Sequence, residues 1–310
     1  MRAHRSVLAV AAALAAAAQA LAGCATAPPP GTAGAADGRP IRVVAAENFW
    51  GSIAAQVGGS HVRVTSLVDN PDADPHDYEP TPADARAVAT ADVVLVNGIG
   101  YDTWATRLVE ADGAPGQTVL SVGTVVGVND GDNPHRWYDP TAVNRVGDAL
   151  VSAYTRLDPA ASTDFRDLRT DFGTTATAAY HAAVDAIRAC CSGTAIGASE
   201  SIVAMLAPAL GLDLVTPPGF LKAVSEGTDP TAGDTSMAND QIATHAIAVY
   251  VYNSQNATPD VQAQVAAARA AGIPVTTITE TMVPADGTWQ EWQTAQLVHL
   301  RDALAEATGP

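Results

Sequence analysis

The stretch IRVVAAENFWGSIAAQVGGSHVRVTSLV, residues 41–68, decides the fold. It opens with a β-branched run at residues 41–45 and closes with a second run at residues 62–68. Between these runs, from Phe49 to Val57, apolar side chains recur at the spacing of one face of a helix. A strand, a helix and a strand in this order predict two parallel strands covered by a helix.

The same alternation recurs further along the chain. Thr81 and Pro82 are the residue types of an N-cap and a first helical position, so we predict a helix over residues 81–90. Further strands are predicted at 92–97, 194–198, 246–252 and 273–278, with helices at 201–210, 258–271 and 289–305. The chain is therefore expected to be an α/β protein with two lobes, each built on a parallel-rich sheet.

One long rigid helix is predicted between the lobes. Residues 158–189 carry apolar side chains at helical intervals and contain no proline after Pro159, although Gly173 is a weak point. We expect an N-terminal lobe at 41–155, the linking helix at 156–191 and a C-terminal lobe at 192–310. Two such lobes on one helix form a clamshell, and ligands of open α/β sheets lie beyond the carboxyl ends of the strands.

Composition limits the classes of partner. The 310 residues, 47% apolar and 16% charged, are enough for two globular domains. The formal net charge is -17, and Lys222 is the single lysine. Because phosphate binding needs clustered lysine and arginine, we expect no nucleic-acid partner.

The N-terminus has the pattern of an export signal. Arg2 and Arg5 precede an apolar run that ends in small residues before Cys24, so residues 1–23 are predicted to be a signal peptide. The sequence Leu-Ala-Gly-Cys at its end resembles the bacterial lipobox, in which the cysteine is acylated. The alternative is a plain signal peptide with an incidental cysteine. Residues 24–40 are then the lipidated cysteine and a flexible tether.

Two further cysteines, Cys190 and Cys191, are adjacent. Neighbouring cysteines can bridge only through a strained eight-membered ring, so we expect free, partly buried thiols. A vicinal disulfide and a role in binding soft metals are the alternatives.

Four residues stand where a ligand would be expected. His76 and His135 each follow a proline that stiffens the local backbone, and Glu200 and Glu280 each follow a predicted strand. Each of them alone has an ordinary explanation, because a lone histidine is usually structural and an acid near a helix N-terminus stabilises the helix dipole. The remaining histidines are interpreted in that ordinary way: His4, His61, His181, His245 and His299.

The combination resembles a known family, the zinc- and manganese-binding solute-binding proteins of bacterial metal ABC transporters. The resemblance covers about the whole chain after the signal peptide. It is carried by the lipobox, DPHDYEPTPAD at 74–84, ADVVLVNGIG at 91–100, NPHRWYDP at 133–140, and Ser199-Glu200 before an aliphatic helix. In that family two histidines of one lobe and two residues of the other bind the ion between the lobes. The resemblance implies His76, His135, Glu200 and Glu280 as the metal ligands.

Some positions depart from the family pattern. Many zinc-selective members have a histidine-rich loop and a histidine at the position of Glu200, and this chain has neither. The usual fourth ligand is an aspartate, whereas this chain offers Glu280. Asp229 and Asp234 lie in a stretch that also differs from the family, and they are alternatives to Glu280.

The identity of the metal stays open between Zn²⁺ and Mn²⁺. Two imidazoles and two carboxylates form a harder donor set than three histidines, which favours manganese or iron. By the Irving–Williams order the same site would still bind Zn²⁺ more tightly than Mn²⁺. Six-coordination through bidentate carboxylates suits Mn²⁺, and four-coordination suits Zn²⁺.

The resemblance implies a receptor that is no enzyme. We expect an exported monomer, anchored by Cys24 on the outer face of the cytoplasmic membrane, that captures the ion and delivers it to a permease. Because ligand imidazoles must be neutral, affinity should fall below about pH 6. The alternatives are a surface adhesin and a metal-dependent hydrolase, although the motifs H-E-x-x-H and G-x-S-x-G are absent from the sequence.

Overall fold

The computed structural model describes residues 38–71, 75 and 78–309. These residues all fall within one compact unit. The predicted signal peptide, Cys24, most of the tether and His76 lie outside the described residues. In the described part of the chain, no helix is both long enough and apolar enough to cross a membrane.

The N-terminal half contains a sheet of four parallel strands in the order β2-β1-β3-β4. The strands are β1 Ile41–Glu47, β2 Val62–Val68, β3 Val93–Val96 and β4 Thr118–Ser121. The helices are α1 Asn48–Gly58, α2 Pro82–Thr90, α3 Thr103–Asp112, α4 Val122–Val126 and α5 Pro140–Leu157. Six of the seven residues of β1 are buried, as expected for a central strand with helices on both faces.

The beginning of α2 confirms its prediction from sequence. The Thr81 hydroxyl accepts hydrogen bonds from the backbone N–H groups of Ala83 and Asp84, and the Asp84 carboxylate accepts one from the backbone N–H of Thr81. Pro82, which has no N–H, takes the first helical position. This helix begins directly after the segment that contains His76.

The C-terminal half repeats the arrangement with strand order β6-β5-β7-β8, again all parallel. The strands are β5 Ala195–Ala198, β6 Asp213–Leu214, β7 Val249–Asn253 and β8 Val275–Ile278. The helices are α8 Ile202–Leu210, α9 Pro218–Ser225, α10 Ala232–Ala243, α11 Pro259–Ala270 and α12 Trp289–Thr308. Two parallel sheets covered by helices confirm the predicted α/β class.

The connection between the two sheets differs from a single uniform helix over 158–189. A 3₁₀ turn at Pro159–Ala161 precedes α6, Ser162–Asp171, which runs through a π-helical turn, Phe172–Ala176, into α7, Ala178–Cys191. The Thr177 hydroxyl donates to the carbonyl of Phe172 at 2.8 Å, which stabilises the wider turn. The π-helical turn contains Gly173, the weak point expected from sequence. The predicted limits of the two lobes and the linking helix, at 41–155, 156–191 and 192–310, stay predictions.

The two halves share one core. Buried residues of α1 and β1 belong to the same apolar cluster as buried residues of β5, α7, α8 and α12. Phe49 of α1 stacks on Trp137 with ring centroids 4.0 Å apart, and Trp289 of α12 donates its indole N–H to the Trp137 carbonyl at 3.0 Å. Trp137 therefore fixes the segment around position 135 against both halves.

The expectation of two free thiols was wrong for this structure. Cys190 and Cys191 form a vicinal disulfide in the last turn of α7. Helix α7 ends at Cys191, so the bridged pair occupies the C-terminal end of that helix.

Candidate metal centre

Three side chains with metal-binding atoms meet at the seam between the halves. His135, Glu200 and Glu280 each offer one donor atom, and these atoms all lie within 4.8 Å of one another. The three residues are 0%, 2% and 8% exposed. Two carboxylates and an imidazole so close together in a buried place form a donor set that a divalent transition metal ion would stabilise.

Each donor is placed by the end of a secondary-structure element. Glu200 lies in the turn between β5 and α8, and Glu280 lies two residues after β8. His135 directly precedes the 3₁₀ turn Arg136–Tyr138, which leads into α5. The two glutamates therefore stand at the carboxyl ends of parallel strands, the place where open α/β sheets bind ligands.

Neighbouring polar groups orient Glu280. The Nδ2 of Asn253, at the end of β7, donates to Glu280 Oε2 at 3.3 Å, and the backbone N–H of Glu280 donates to Gln255 Oε1 at 2.7 Å. Glu280 Oε1 then lies 3.6 Å from Nε2 of His135. One carboxylate oxygen is thus held by the protein, while the other faces the imidazole.

Tyr101 adds a neutral hydroxyl beside the donors. Burial raises the pKa of Tyr101 well above its ordinary value, and the negative charges of Glu280 and Glu47 raise it further. The phenol therefore stays protonated at physiological pH. Its ring also lies edge-on to His135, with centroids 6.1 Å apart.

Comparison with known proteins places the chain in a family. The sequence profile of the family described as zinc-uptake complex component A, periplasmic (ZnuA), matches residues 43–303. The chain belongs to the ZnuA family.

Curated relatives of this ZnuA-family chain match over shorter stretches. The manganese-binding lipoprotein MntA of Halalkalibacterium halodurans is 32% identical over 128 residues, which are 40% of this chain and 42% of that protein. The iron-binding protein YfeA of Yersinia pestis is 29% identical over 126 residues, 39% of this chain and 40% of that protein. The chain thus spans about two fifths of the length of these curated relatives.

A solved structure shows the same fold over a greater length. The Mn-bound periplasmic metal binding protein from Candidatus Liberibacter asiaticus superposes with a TM-score of 0.71 at 20% identity, covering 85% of this chain and 99% of that chain. At this level of identity the likeness establishes the fold alone.

Of the four ligands predicted for this ZnuA-family chain, the structure brings three together. His76 lies outside the described residues, although its neighbour Pro75 is buried and accepts a hydrogen bond from the Trp104 indole at 2.9 Å. The competing aspartates are elsewhere: Asp229 is exposed, and Asp234 caps the start of α10 through Thr231. Within the described residues the donor cluster therefore contains Glu280 and neither of these aspartates.

Two further buried acids near the site were not predicted. Glu47 ends β1, and Asp102 lies shortly after β3 and is fully buried. Burial and then the charge of Asp102 raise the pKa of Glu47 well above its ordinary value. Asp102 accepts backbone N–H bonds from Asn97 and Gly98, each at 2.7 Å, which stabilise its charged form, so Glu47 is the acid of the two that we assign as protonated. Glu47 is the last residue of its strand and Asp102 follows one, so both lie at the carboxyl end of the sheet.

Proposed function

We propose that the chain is an extracytoplasmic solute-binding protein that captures a divalent transition metal ion between its lobes and delivers it to the permease of an ABC transporter. The observation that carries the proposal is the buried convergence of His135, Glu200 and Glu280, which come from three distant segments of the chain. Membership of the ZnuA family and the names of the relatives support the same function.

The proposed ligand set comprises His76, His135, Glu200 and Glu280. A set of two imidazoles and two carboxylates is richer in oxygen than a histidine-dominated set, which favours Mn²⁺ where both carboxylates bind through two oxygens. Zn²⁺ is the alternative, and it would bind the same donors in four-coordination.

Burial of the donors favours transport over catalysis. A catalytic metal needs an open coordination position for water or substrate. His135 and Glu200 are at most 2% exposed, so an ion between them would be enclosed by the protein. Release then requires the lobes to separate, and we propose that docking on the permease supplies that opening. Acylation of Cys24 would keep the receptor on the outer face of the cytoplasmic membrane, the membrane that contains the permease.

Isothermal titration calorimetry tests the proposal directly. The protein is purified without added metal, analysed for bound elements, and titrated with Mn²⁺ and with Zn²⁺. His135→Ala, Glu200→Gln and Glu280→Gln should each weaken binding of the preferred ion. The matched controls, exposed His299→Ala and Asp229→Asn, should leave affinity unchanged. Wild-type affinity in all three site variants would refute the proposal.

A further inference from the structure

The side chain of Asn133 uses both ends of its amide at the seam between the halves. Its Oδ1 lies 3.0 Å from the backbone N of His135 and 2.8 Å from the ring Nδ1 of the same residue. Its Nδ2 donates to the carbonyl of Ser201 at 2.7 Å. A flipped amide would turn a donor toward the His135 N–H and an acceptor toward the Ser201 carbonyl, so the contacts define its orientation.

From this geometry we propose that Asn133 is a positioning residue that sets the tautomer of His135 and bonds the histidine segment to the Glu200 turn. The inference rests on the proposed function, since it assigns how that site is prepared for the ion.

Asn133 acts first on the imidazole of His135. An amide oxygen can only accept, so the contact between Asn133 Oδ1 and Nδ1 requires that Nδ1 carries the proton. The neutral ring then has its lone pair on Nε2, which is the nitrogen facing Glu280 Oε1 at 3.6 Å. Asn133 therefore selects the tautomer whose unprotonated nitrogen points into the donor cluster.

Ser201 does not select a tautomer in the same way. Its Oγ lies 3.3 Å from His135 Nδ1, but a hydroxyl can either donate or accept. The same Oγ lies 2.8 Å from Ser225 Oγ, and the backbone N–H of Ser201 donates to Ser225 Oγ at 3.0 Å. The serines therefore hold the turn in place from the C-terminal half, while Asn133 fixes the ring.

Asn133 also connects the N-terminal half of the protein to the C-terminal half. Ser201 directly follows Glu200, so the Asn133 Nδ2 contact reaches the backbone of the turn that carries a proposed ligand. One amide thereby sets the position of His135 relative to Glu200. The donor atoms are then oriented before the ion binds, which lowers the free-energy cost of ordering them on binding.

Three variants separate the two roles. Asn133→Ala removes both contacts, whereas Asn133→Asp keeps an acceptor for Nδ1–H and replaces the donor to Ser201 with an oxygen. Asn129→Ala is the matched control, because Asn129 is an exposed asparagine of the same loop. Circular dichroism checks that each variant is folded.

The first readout is the tautomer of His135 in the metal-free protein. It is measured by long-range ¹H–¹⁵N correlation on histidine-labelled protein and assigned by comparison with His135→Ala. The wild type, Asn129→Ala and Asn133→Asp should show the Nδ1–H form, and Asn133→Ala should show a mixture of the two tautomers. A purely structural role for Asn133 would not change this signal.

The second readout is Zn²⁺ binding. Asn133→Ala should weaken affinity by about tenfold to a hundredfold, the range typical for a lost partner of a metal-bound histidine. Asn133→Asp should release Zn²⁺ faster than the wild type in stopped-flow chelation, because an oxygen now faces the Ser201 carbonyl.

Several outcomes would overturn the inference. An unchanged tautomer together with unchanged Zn²⁺ affinity in Asn133→Ala would do so. If that variant does not fold, loss of the Nδ1–H form in Asn133→Asp, or a wild-type release rate in it, would have the same effect. A wild type that binds neither Mn²⁺ nor Zn²⁺ would refute the proposed function instead, while the metal-free spectra still decide the assignment of the tautomer.

Discussion

The hydroxyl of Tyr138 donates to the carbonyl of Thr279 at 2.7 Å. Tyr138 ends the 3₁₀ turn that follows His135, and Thr279 directly precedes Glu280. The Oε1 of Gln296, on α12, accepts from the backbone N–H of Thr279 at 2.7 Å. The backbone segments of two proposed ligands, 145 residues apart in sequence, are thus tied together through one buried phenol.

Replacing Tyr138 with phenylalanine should destabilise the fold. The change removes the donor to the partly buried Thr279 carbonyl, and losing such a partner costs about 1–3 kcal/mol of unfolding free energy. Urea unfolding of the metal-free protein measures the loss. The control is Tyr252→Phe at a less buried position, where we expect a change within about 0.5 kcal/mol. Equal losses in the two variants would contradict the role of the hydroxyl.

Glu47→Gln should change how stability depends on pH. Because burial and then Asp102 raise the pKa of Glu47 above its ordinary value of 4.5, the folded protein binds this proton more tightly than the unfolded chain does. Wild-type stability is favoured below the ordinary value and declines as the pH rises through the interval up to the folded pKa. Glutamine is neutral at every pH, so it avoids this decline.

Comparing the stabilities of Glu47→Gln and the wild type at pH 5 and at pH 8 tests this expectation. Relative to the wild type, Glu47→Gln should gain unfolding free energy between pH 5 and pH 8, measured by urea unfolding without metal. Exposed Glu110→Gln is the control and should show no such trend. A difference between Glu47→Gln and wild type that stays constant with pH would show that Glu47 does not titrate between the two states.

Asn253→Asp should make the metal-free protein less stable and more responsive to metal. Asn253 is fully buried, and its Nδ2 donates to Glu280 Oε2 at 3.3 Å. Aspartate would place a second carboxylate against Glu280, and the repulsion is relieved when a divalent cation binds. Thermal unfolding with and without saturating Zn²⁺ should show a lower metal-free Tm and a larger metal-induced rise than the wild type. A metal-induced rise in Tm that is the same in Asn253→Asp and in the wild type would argue against an ion beside Glu280.

Phe49→Ala should be among the costliest core substitutions. Phe49 is fully buried and stacks on Trp137, two residues after His135, at a centroid distance of 4.0 Å. Truncating such an aromatic costs about 3–5 kcal/mol of unfolding free energy. Val119→Ala, at a site 46% exposed on the edge strand β4, should change stability by less than about 0.5 kcal/mol. Denaturant titration of both variants gives the comparison.

Strong periodic signals made much of the fold predictable. The strands at 41–45 and 62–68 are β-branched runs, and they appear as β1 and β2. The edge strands β4 and β6 were missed, because four residues and two residues carry too little alternation to be recognised. The linking helix was predicted as uniform, since sequence periodicity does not distinguish α-helical from π-helical hydrogen bonding.

The site was predictable to the extent that each donor has a local signal. Glu200 and Glu280 follow strands, and His135 sits in a proline-stiffened turn. Each signal alone has an ordinary explanation, and the family resemblance joined them into one ligand set. The Asn133 contact to Ser201 joins residues 68 positions apart, and no local sequence pattern predicts such a contact. Glu47 is the last residue of a strand, near where Glu200 stands in the other sheet, but the family resemblance assigned it no role. His76 as a ligand and Cys24 as the lipidation site stay predictions.

The two sheets share one strand order, and Glu200 and Glu280 lie on turns beyond the ends of their strands. The hydrogen-bonded frame is therefore specified separately from the residues that meet at the seam. A substitution in one turn can alter the charge or the softness of the donor set, or the number of donor atoms, while the register of every strand stays the same. For the proposed metal receptor, the preferred ion could then change in evolution through a few point mutations, with each intermediate sequence still able to fold.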